Sequence, residues 1–343
     1  MQIKYILFLI ALGASIEACN PTREIMTTGN IERIDPDLDN ILTREAKIEI
    51  IAEGYDWSEG PLWVEEQKML LFSDVPKNTV YKWTEQKGAE VYLTPSGYTG
   101  TQPRGGEMGS NGLLLDDKGN LILCQHGDRQ LAMMDASLDA PKAAFRTIAG
   151  KFFNNRLNSP NDAVLHNNDF YFTDPPYGLE KQMEDPQKEI AFQGVYRVTP
   201  SGVVTSLVDS LTRPNGIAFS PDRQYLFVAN SDPQKARWYR YTLRTDPTSE
   251  EQEGGVALTD GKILFDATSM TATGKGLPDG MKIDSKGTIF ATGPGGVYIF
   301  NLDGKLLGKI NVPEATSNCA LSADEKILYV TNDMNILRIK LRP

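Results

Sequence analysis

The chain alternates short apolar runs with polar turns, a pattern typical of β-strands. Six of these runs come after the same kind of sequence: a short repeated motif whose first residue is Glu, Asp or Asn, and then a polar turn. We call the first residue of each motif its opener. The openers are Glu59, Asn111, Asn161, Asn215, Asp279 and Asn318. The runs are Leu70–Phe72, Leu121–Leu123, Phe170–Phe172, Leu226–Val228, Thr288–Phe290 and Ile327–Val330. The spacing of the openers is in the range of internal periods that propellers show.

Two further β-type runs accompany each opener. The runs before the openers are Ile48–Ala52, Glu90–Leu93, Phe145–Ile148, Val203–Val208, Lys262–Phe265 and Leu306–Ile310. The runs after the second strands are Thr79–Trp83, Gln130–Met134, Gly194–Val198, Trp238–Thr242, Gly296–Phe300 and Ile336–Leu341. Six units of four strands predict an all-β fold, a six-bladed β-propeller with four-stranded blades.

The two ends of the chain are expected to close the ring. Ile48–Ala52 belongs to no blade of its own, and Ile336–Leu341 ends a blade that lacks its outer strand. Pairing of this N-terminal strand with the C-terminal blade removes an exposed edge. The propeller is therefore expected over residues 45–343, with two inserts, Pro175–Gln193 and Thr245–Asp260. Loops of this length either line a binding mouth or are solvated decoration.

Residues 1–19 have the features of an export signal, with a basic start, an apolar stretch and small residues near its end. Cys19 ends a segment similar to a bacterial lipobox, which predicts a lipidated residue; ordinary secretion is the alternative. Residues 20–44 are polar and are expected to be a tether. The predicted location is the periplasm, or the membrane through a lipid anchor alone.

The composition narrows the possible partners. A net charge of −10 over 343 residues argues against nucleic acid, whose binding needs basic patches. Without Cys19, only Cys124 and Cys319 remain, in blades too far apart for a disulfide, so both are expected to be buried thiols.

The openers are candidate metal ligands, because the inner strand of each blade starts near the propeller axis. Glu59 and Asp279 would repel each other there by about 4 kcal/mol unless a proton or a cation intervened. Asn161 and Asn215 add neutral oxygens. An all-oxygen set of this kind favours Ca²⁺, with Mg²⁺, Mn²⁺ or Zn²⁺ as alternatives. A single Asn-Gly or Asp-Gly dipeptide is also an ordinary turn signal, but six in phase point to a shared site.

A second ring of polar residues is expected where the second strands end. Its members are Asp74, His126, Asp174, Asn230 and Asn332. His126 is either a base or substrate ligand, or a brace between loops. His166 is expected at the opposite end of the propeller, near the surface.

Several phrases resemble the senescence-marker-protein/gluconolactonase/luciferin-regenerating-enzyme family, particularly its bacterial gluconolactonase-like members. They are Ser58–Trp63, Gly109–Leu113, Cys124–Asp128, Ser159–Asp162, Tyr171–Gly178, Arg213–Ile217 and Pro278–Met281, within roughly residues 45–341. The resemblance implies one divalent cation held by Glu59, Asn161, Asn215 and Asp279, with Asp279 also as the general base. Animal members carry a substrate-binding Arg where this chain has Ser159; Arg104, Arg156 or His126 are possible replacements.

The function expected from these features is calcium-dependent hydrolysis of a sugar lactone, with Asp279, Asp174 or His126 as proton acceptor. The candidate substrate-binding residues are Asn111, His126, Asn230 and Arg104. Two alternatives remain: an exported propeller that binds a sugar or a protein around a structural cation, and hydrolysis of phosphotriesters or other esters at the same metal.

Overall fold

The computed structural model describes residues 25–246 and 255–342. Six antiparallel sheets surround one axis, and the predicted six-bladed propeller with four-stranded blades is confirmed. Residues 1–19, including Cys19, lie outside the described residues.

Blades 1 to 3 run in chain order from the inner strand to the outer strand. Blade 1 contains Ser58–Val64, Met69–Asp74, Thr79–Thr84 and Gly88–Leu93. Blade 2 contains Ser110–Leu115, Leu121–Gln125, Gln130–Met134 and Phe145–Ala149. Blade 3 contains Ala163–His166, Asp169–Asp174, Gly194–Val198 and Val204–Val208. A small hairpin, Lys151–Phe152 with Asn155–Arg156, lies between blades 2 and 3.

Blades 4 to 6 complete the ring. Blade 4 contains Pro214–Phe219, Tyr225–Asp232, Lys235–Asp246 and Gly255–Asp266. Blade 5 contains Met281–Ile283, Ile289–Gly293, Gly296–Phe300 and Leu306–Asn311. Blade 6 contains Asn318–Leu321, Ile327–Asn332, Asn335–Lys340 and, as its outer strand, Ile48–Glu53. The expected closure of the ring by the N-terminal strand is therefore confirmed.

The core lies between neighbouring blades. Successive side chains of a strand point to opposite faces, so each second strand packs against both of its neighbouring blades. In blade 2, Leu123 joins the cluster shared with blade 1, whereas Ile122 and Cys124 join the cluster shared with blade 3. Cys124 and Cys319 are free and buried, as expected. The described residues contain no helix that is both long and apolar enough to cross a membrane.

The N-terminal segment differs from the expected tether. From residue 25 onward the chain packs on the propeller, and Asn30–Arg33 adds a fifth strand to the outer edge of blade 5. The short 3₁₀-helix Pro36–Asn40 follows, with Leu38 and Leu42 fully buried in the cluster between blades 5 and 6. Burial of these apolar side chains explains why the segment is held against the propeller.

The two inserts have different structures. Thr245–Asp260, expected to be a loop, instead lengthens two strands of blade 4, which pair as far as Asp246 and Gly255. Val256 and Leu258 explain this, because they pack in the cluster that blade 4 shares with blade 3; Pro247 lies outside the described residues. The insert Pro175–Gln193 contains the 3₁₀-helix Gln182–Glu184, and a third such helix spans Thr268–Ala272.

Candidate active site and metal centre

The openers stand where the inner strands begin, and their backbones form a tight ring around the axis. Gly112 N donates to the carbonyl of Asn161 at 2.8 Å, and Gly280 N donates to that of Ser317 at 2.7 Å. A Cβ at Gly216 would lie only 2.2 Å from the carbonyl oxygen of Asp279. The glycines after the openers therefore allow neighbouring blades to approach each other, and are not merely turn residues.

The predicted ligands Glu59, Asn161, Asn215 and Asp279 all line one cavity of about 180 Å³ at the end of the channel. The other lining residues are Trp57, Glu107, Asn111, Tyr177, Ser231, Gly276, Leu277 and Thr316. Glu59, Asn161 and Asn215 are almost completely buried, whereas Asp279 is partly exposed.

Four side-chain oxygens in this cavity are buried without a hydrogen-bond partner: Oδ1 of Asn111, Asn161, Asn215 and Asp279. The amide of Asn215 is oriented by its nitrogen, which donates to Ser231 Oγ at 3.0 Å. Buried polar atoms are nearly always paired, so unpaired oxygens that share a cavity call for a partner such as an ion.

The donor set fits a hard divalent cation, which prefers carboxylate and amide oxygens. Within the described chain, no three His, Cys, Asp or Glu side chains are grouped so that they could hold a metal. The fit therefore depends on the amide oxygens as much as on the two acids.

Electrostatics favour a cation at the same place. Burial raises the pKa of Glu59 to about 8, and the negative charges of Glu107 and Asp162 add to the shift. Burial and the nearby Glu59 carboxyl raise the pKa of Asp279 well above its usual range. A bound cation would offset this repulsion and favour both ionised forms.

The second ring lies outside the cavity lining and braces the backbone. Asp174 accepts from the amides of Asn158 and Ser159, both at 2.7 Å. Asn230 accepts from Arg213 N at 2.8 Å and donates to the carbonyl of Lys235 at 2.9 Å. The structure thus gives Asp174 and Asn230 backbone partners, in place of the expected catalytic and substrate-binding contacts.

His126 does not belong to that ring. Gln125 pairs with Ser110 in the way that Asp74 pairs with Ser58, so Gln125 is the equivalent residue. His126, one position further on, is fully buried behind Asn161, with its Nε2 atom 3.5 Å from Asn161 Nδ2. His166 lies half-buried at the end of its inner strand, next to Tyr171 and Phe219.

The candidate arginines do not line the cavity. Arg104 donates to the carbonyls of Gly127 and Gly178, and so ties together the loops around the mouth. Arg156 donates to the carbonyl of Asp128. Neither arginine is therefore among the residues that line this cavity.

Sequence reasoning missed several residues of the cavity wall. Tyr177 comes from the insert Pro175–Gln193, so part of that insert lines the cavity. Tyr177 lies within Tyr171–Gly178, one of the motifs that resemble the family, and that motif could have identified it. The proximity of Asp279 helps burial to raise the pKa of Tyr177. Glu107 comes from an irregular loop without any repeat signal, and no sequence feature identified it.

A sequence profile described as the SMP-30/gluconolactonase/LRE-like region matches residues 57–333. The chain belongs to this family. It is 37% identical over 338 residues to a gluconolactonase from Zymomonas mobilis, which covers 96% of this chain and 91% of that protein. It is also 26% identical over 279 residues to a pentonolactonase from Haloferax volcanii, which covers 80% of each.

A solved gluconolactonase from Xanthomonas campestris superimposes with a TM-score of 0.77 at 28% identity. The match covers 94% of this chain and 99% of that structure. The family relationship therefore extends through the whole propeller, including the cavity at its axis.

Proposed function

We propose that this family member is a calcium-dependent lactone hydrolase that opens sugar lactones such as aldonolactones. The observation that carries the proposal is the set of unpaired oxygens of Asn161, Asn215 and Asp279, in one cavity with the Glu59 carboxyl. The relatives named gluconolactonase and pentonolactonase support the reaction class.

Glu59, Asn161, Asn215 and Asp279 would hold the cation. When bound, a divalent cation polarises a carbonyl and stabilises negative charge on its oxygen, a contribution of several kcal/mol. The lining also includes Asn111, Ser231 and Thr316, whose polar groups suit the hydroxyls of a sugar ring.

Asp279 is the residue proposed to take the proton from the attacking water. Its buried Oδ1 atom has no hydrogen-bond partner, and the residue lines the cavity. In the lactone, the water oxygen forms a bond to the carbonyl carbon, and the ring C–O bond then breaks. The proton from the water passes to Asp279, which then gives it to the ring oxygen, so that this oxygen leaves as a hydroxyl and Asp279 is regenerated as a carboxylate.

The test is hydrolysis of glucono-lactone, followed by acid release, before and after removal of metal by a chelator. We expect a loss of at least a hundredfold in rate, recovered when calcium is restored, because the charge stabilisation is lost. Unchanged turnover in the metal-free protein would reject the mechanism. Calcium-dependent melting without turnover on any lactone would instead support a binding propeller, and turnover confined to a phosphotriester panel would support the other hydrolase.

We also propose that the protein is exported, with Cys19 as the lipidated residue; residues 1–19 and the lipobox-like segment before Cys19 support this. Labelling with a radioactive fatty acid in cells tests it. We expect label on the wild-type chain and none on Cys19→Ser. An unlabelled wild-type chain would reject lipidation and support ordinary secretion.

A further inference from the structure

His126 contacts two residues of the candidate site through its two ring nitrogens. Its Nδ1 atom lies 3.2 Å from Glu107 Oε2, and its Nε2 atom lies 3.5 Å from Asn161 Nδ2. A carboxylate only accepts hydrogen bonds, and an amide nitrogen only donates them. The Glu107 contact is a charge contact, because His126 Nδ1 has no partner in hydrogen-bond geometry. A carboxylate beside Nδ1 still favours a proton on that nitrogen, and the Asn161 amide nitrogen needs an acceptor at Nε2. The two contacts therefore favour the same neutral tautomer, in which Nδ1 carries the proton and Nε2 accepts.

This tautomer determines the orientation of the Asn161 amide. The oxygen and nitrogen of an amide are similar in size and opposite in hydrogen bonding, so packing alone does not choose between them. With its nitrogen on His126 Nε2, Asn161 presents its unpaired Oδ1 away from the imidazole. A rotated amide would present an N–H group to a cation instead of an oxygen.

The imidazole has little freedom to leave this position. His126 N donates to the carbonyl of Gly109 at 3.1 Å, and the His126 carbonyl accepts from Arg129 N at 3.2 Å. Gly178 packs so closely that a Cβ there would lie 2.7 Å from the Cβ of His126. The ring itself is fully buried, which keeps competing water away from Nε2.

We propose that Glu107 and His126 are positioning residues that hold the Asn161 amide with its oxygen toward the bound cation. This inference rests on the calcium site of the proposed function, and gives His126 a role other than base or substrate ligand. Loss of a group that orients a metal ligand typically weakens metal affinity by about 10–100-fold.

The first experiment is calorimetric titration of metal-free protein with calcium chloride, with thermal melting of each metal-free variant as a check of folding. We expect His126→Leu to weaken calcium binding by about 10–100-fold. His126→Gln should stay within about fivefold of wild type, because its side-chain oxygen can still accept from Asn161. Glu107→Ala should weaken binding by about tenfold, and supplies the test if His126→Leu does not fold.

The matched control is His166→Leu, which removes the chain's other histidine at a site away from the cavity. Its calcium affinity should equal that of wild type. Failure of the wild-type protein to bind calcium would remove the proposed site itself. Wild-type affinity in His126→Leu, or in Glu107→Ala if only that variant folds, would overturn this inference alone.

A double-mutant cycle with Asn161→Asp separates orientation from general structural support. A carboxylate presents oxygen at both ends, so its orientation no longer matters to the cation. In the Asn161→Asp background, we therefore expect His126→Leu to change calcium affinity by less than about threefold, as against the 10–100-fold of the wild-type background. An equal penalty in both backgrounds would show a structural role only and overturn the proposal.

Discussion

Gly60 and Asn111 approach each other so closely that a side chain at Gly60 would overlap the next blade. Gly60 has φ +50°, and a Cβ there would lie 2.0 Å from the carbonyl oxygen of Asn111. Gly60 directly follows the opener Glu59, and Asn111 is itself an opener. Their contact therefore joins blades 1 and 2 at the candidate metal site. The close spacing of the inner strands, and with it the convergence of the oxygens, depends on the missing side chain.

Gly60→Ala should therefore destabilise the protein by about 3 kcal/mol, since it adds steric overlap to the cost of a left-handed backbone. Gly119→Ala is the control, because Gly119 has φ +79° but a Cβ added there would meet no heavy atom within 4 Å. It should cost about 1 kcal/mol. Urea unfolding of the metal-free proteins measures both, and equal losses would contradict the steric explanation.

The N-terminal segment contributes to stability through Leu38. Its side chain is fully buried between blades 5 and 6, so Leu38→Ala should lower the free energy of unfolding by about 2–5 kcal/mol. Ile34→Ala, at a side chain that is 49% exposed, should change it by less than about 0.5 kcal/mol. Similar small changes in both variants would show that the segment is only loosely attached.

The strands and the openers were predictable because both depend on local pattern. The alternation of apolar residues marks strands that pack on both faces, and the repeated phrases place Glu59 and Asp279 at equivalent positions of two blades. Symmetry then brings such positions together around one axis, without any need for long-range detail.

Other features depended on geometry that local pattern does not contain. The turns between inner and second strands differ in length, four residues between Val64 and Met69 but two between His166 and Asp169. The second strand of blade 2 ends at Gln125, one residue before the predicted end, so His126 was assigned to the position that Gln125 occupies. The place of Glu107 in the cavity wall was missed because irregular loops carry no periodicity. The packing of the segment around Leu38 was missed because three buried apolar residues in a polar stretch form too short a pattern.

Asp174 should affect stability through its protonation rather than through catalysis. Burial raises its pKa to about 7 from the ordinary value of 3.8. Between these two values the unfolded chain releases the proton while the folded chain keeps it, so stability falls as pH rises from about 4 to about 7. Each unit of this pKa shift corresponds to about 1.4 kcal/mol.

Asp174→Asn removes this titration. The stability of wild type relative to the variant should therefore decrease by a few kcal/mol between pH 4 and pH 7, as measured by urea unfolding at a series of pH values. Turnover of the lactone should persist in the variant, because Asp174 bonds to backbone amides outside the cavity. A variant that folds and binds calcium normally but has lost turnover would make Asp174 a candidate base again.

Glu59→Gln should raise the stability of the metal-free protein and reduce the stabilisation that calcium provides. In the metal-free protein the Glu59 carboxyl is buried near the acids Glu107 and Asp162, which raises its pKa to about 8. At pH 7 the folded state must therefore protonate it, and a neutral amide removes that cost, so the metal-free variant should melt above metal-free wild type.

With calcium present the variant lacks one charged ligand, and its affinity should fall at least about tenfold, or about 1.4 kcal/mol. The calcium-induced rise in melting temperature should shrink accordingly. Glu66→Gln, at an exposed turn, is the control and should leave both melting temperatures unchanged. A variant less stable than wild type in both conditions would indicate that Glu59 serves packing rather than a cation.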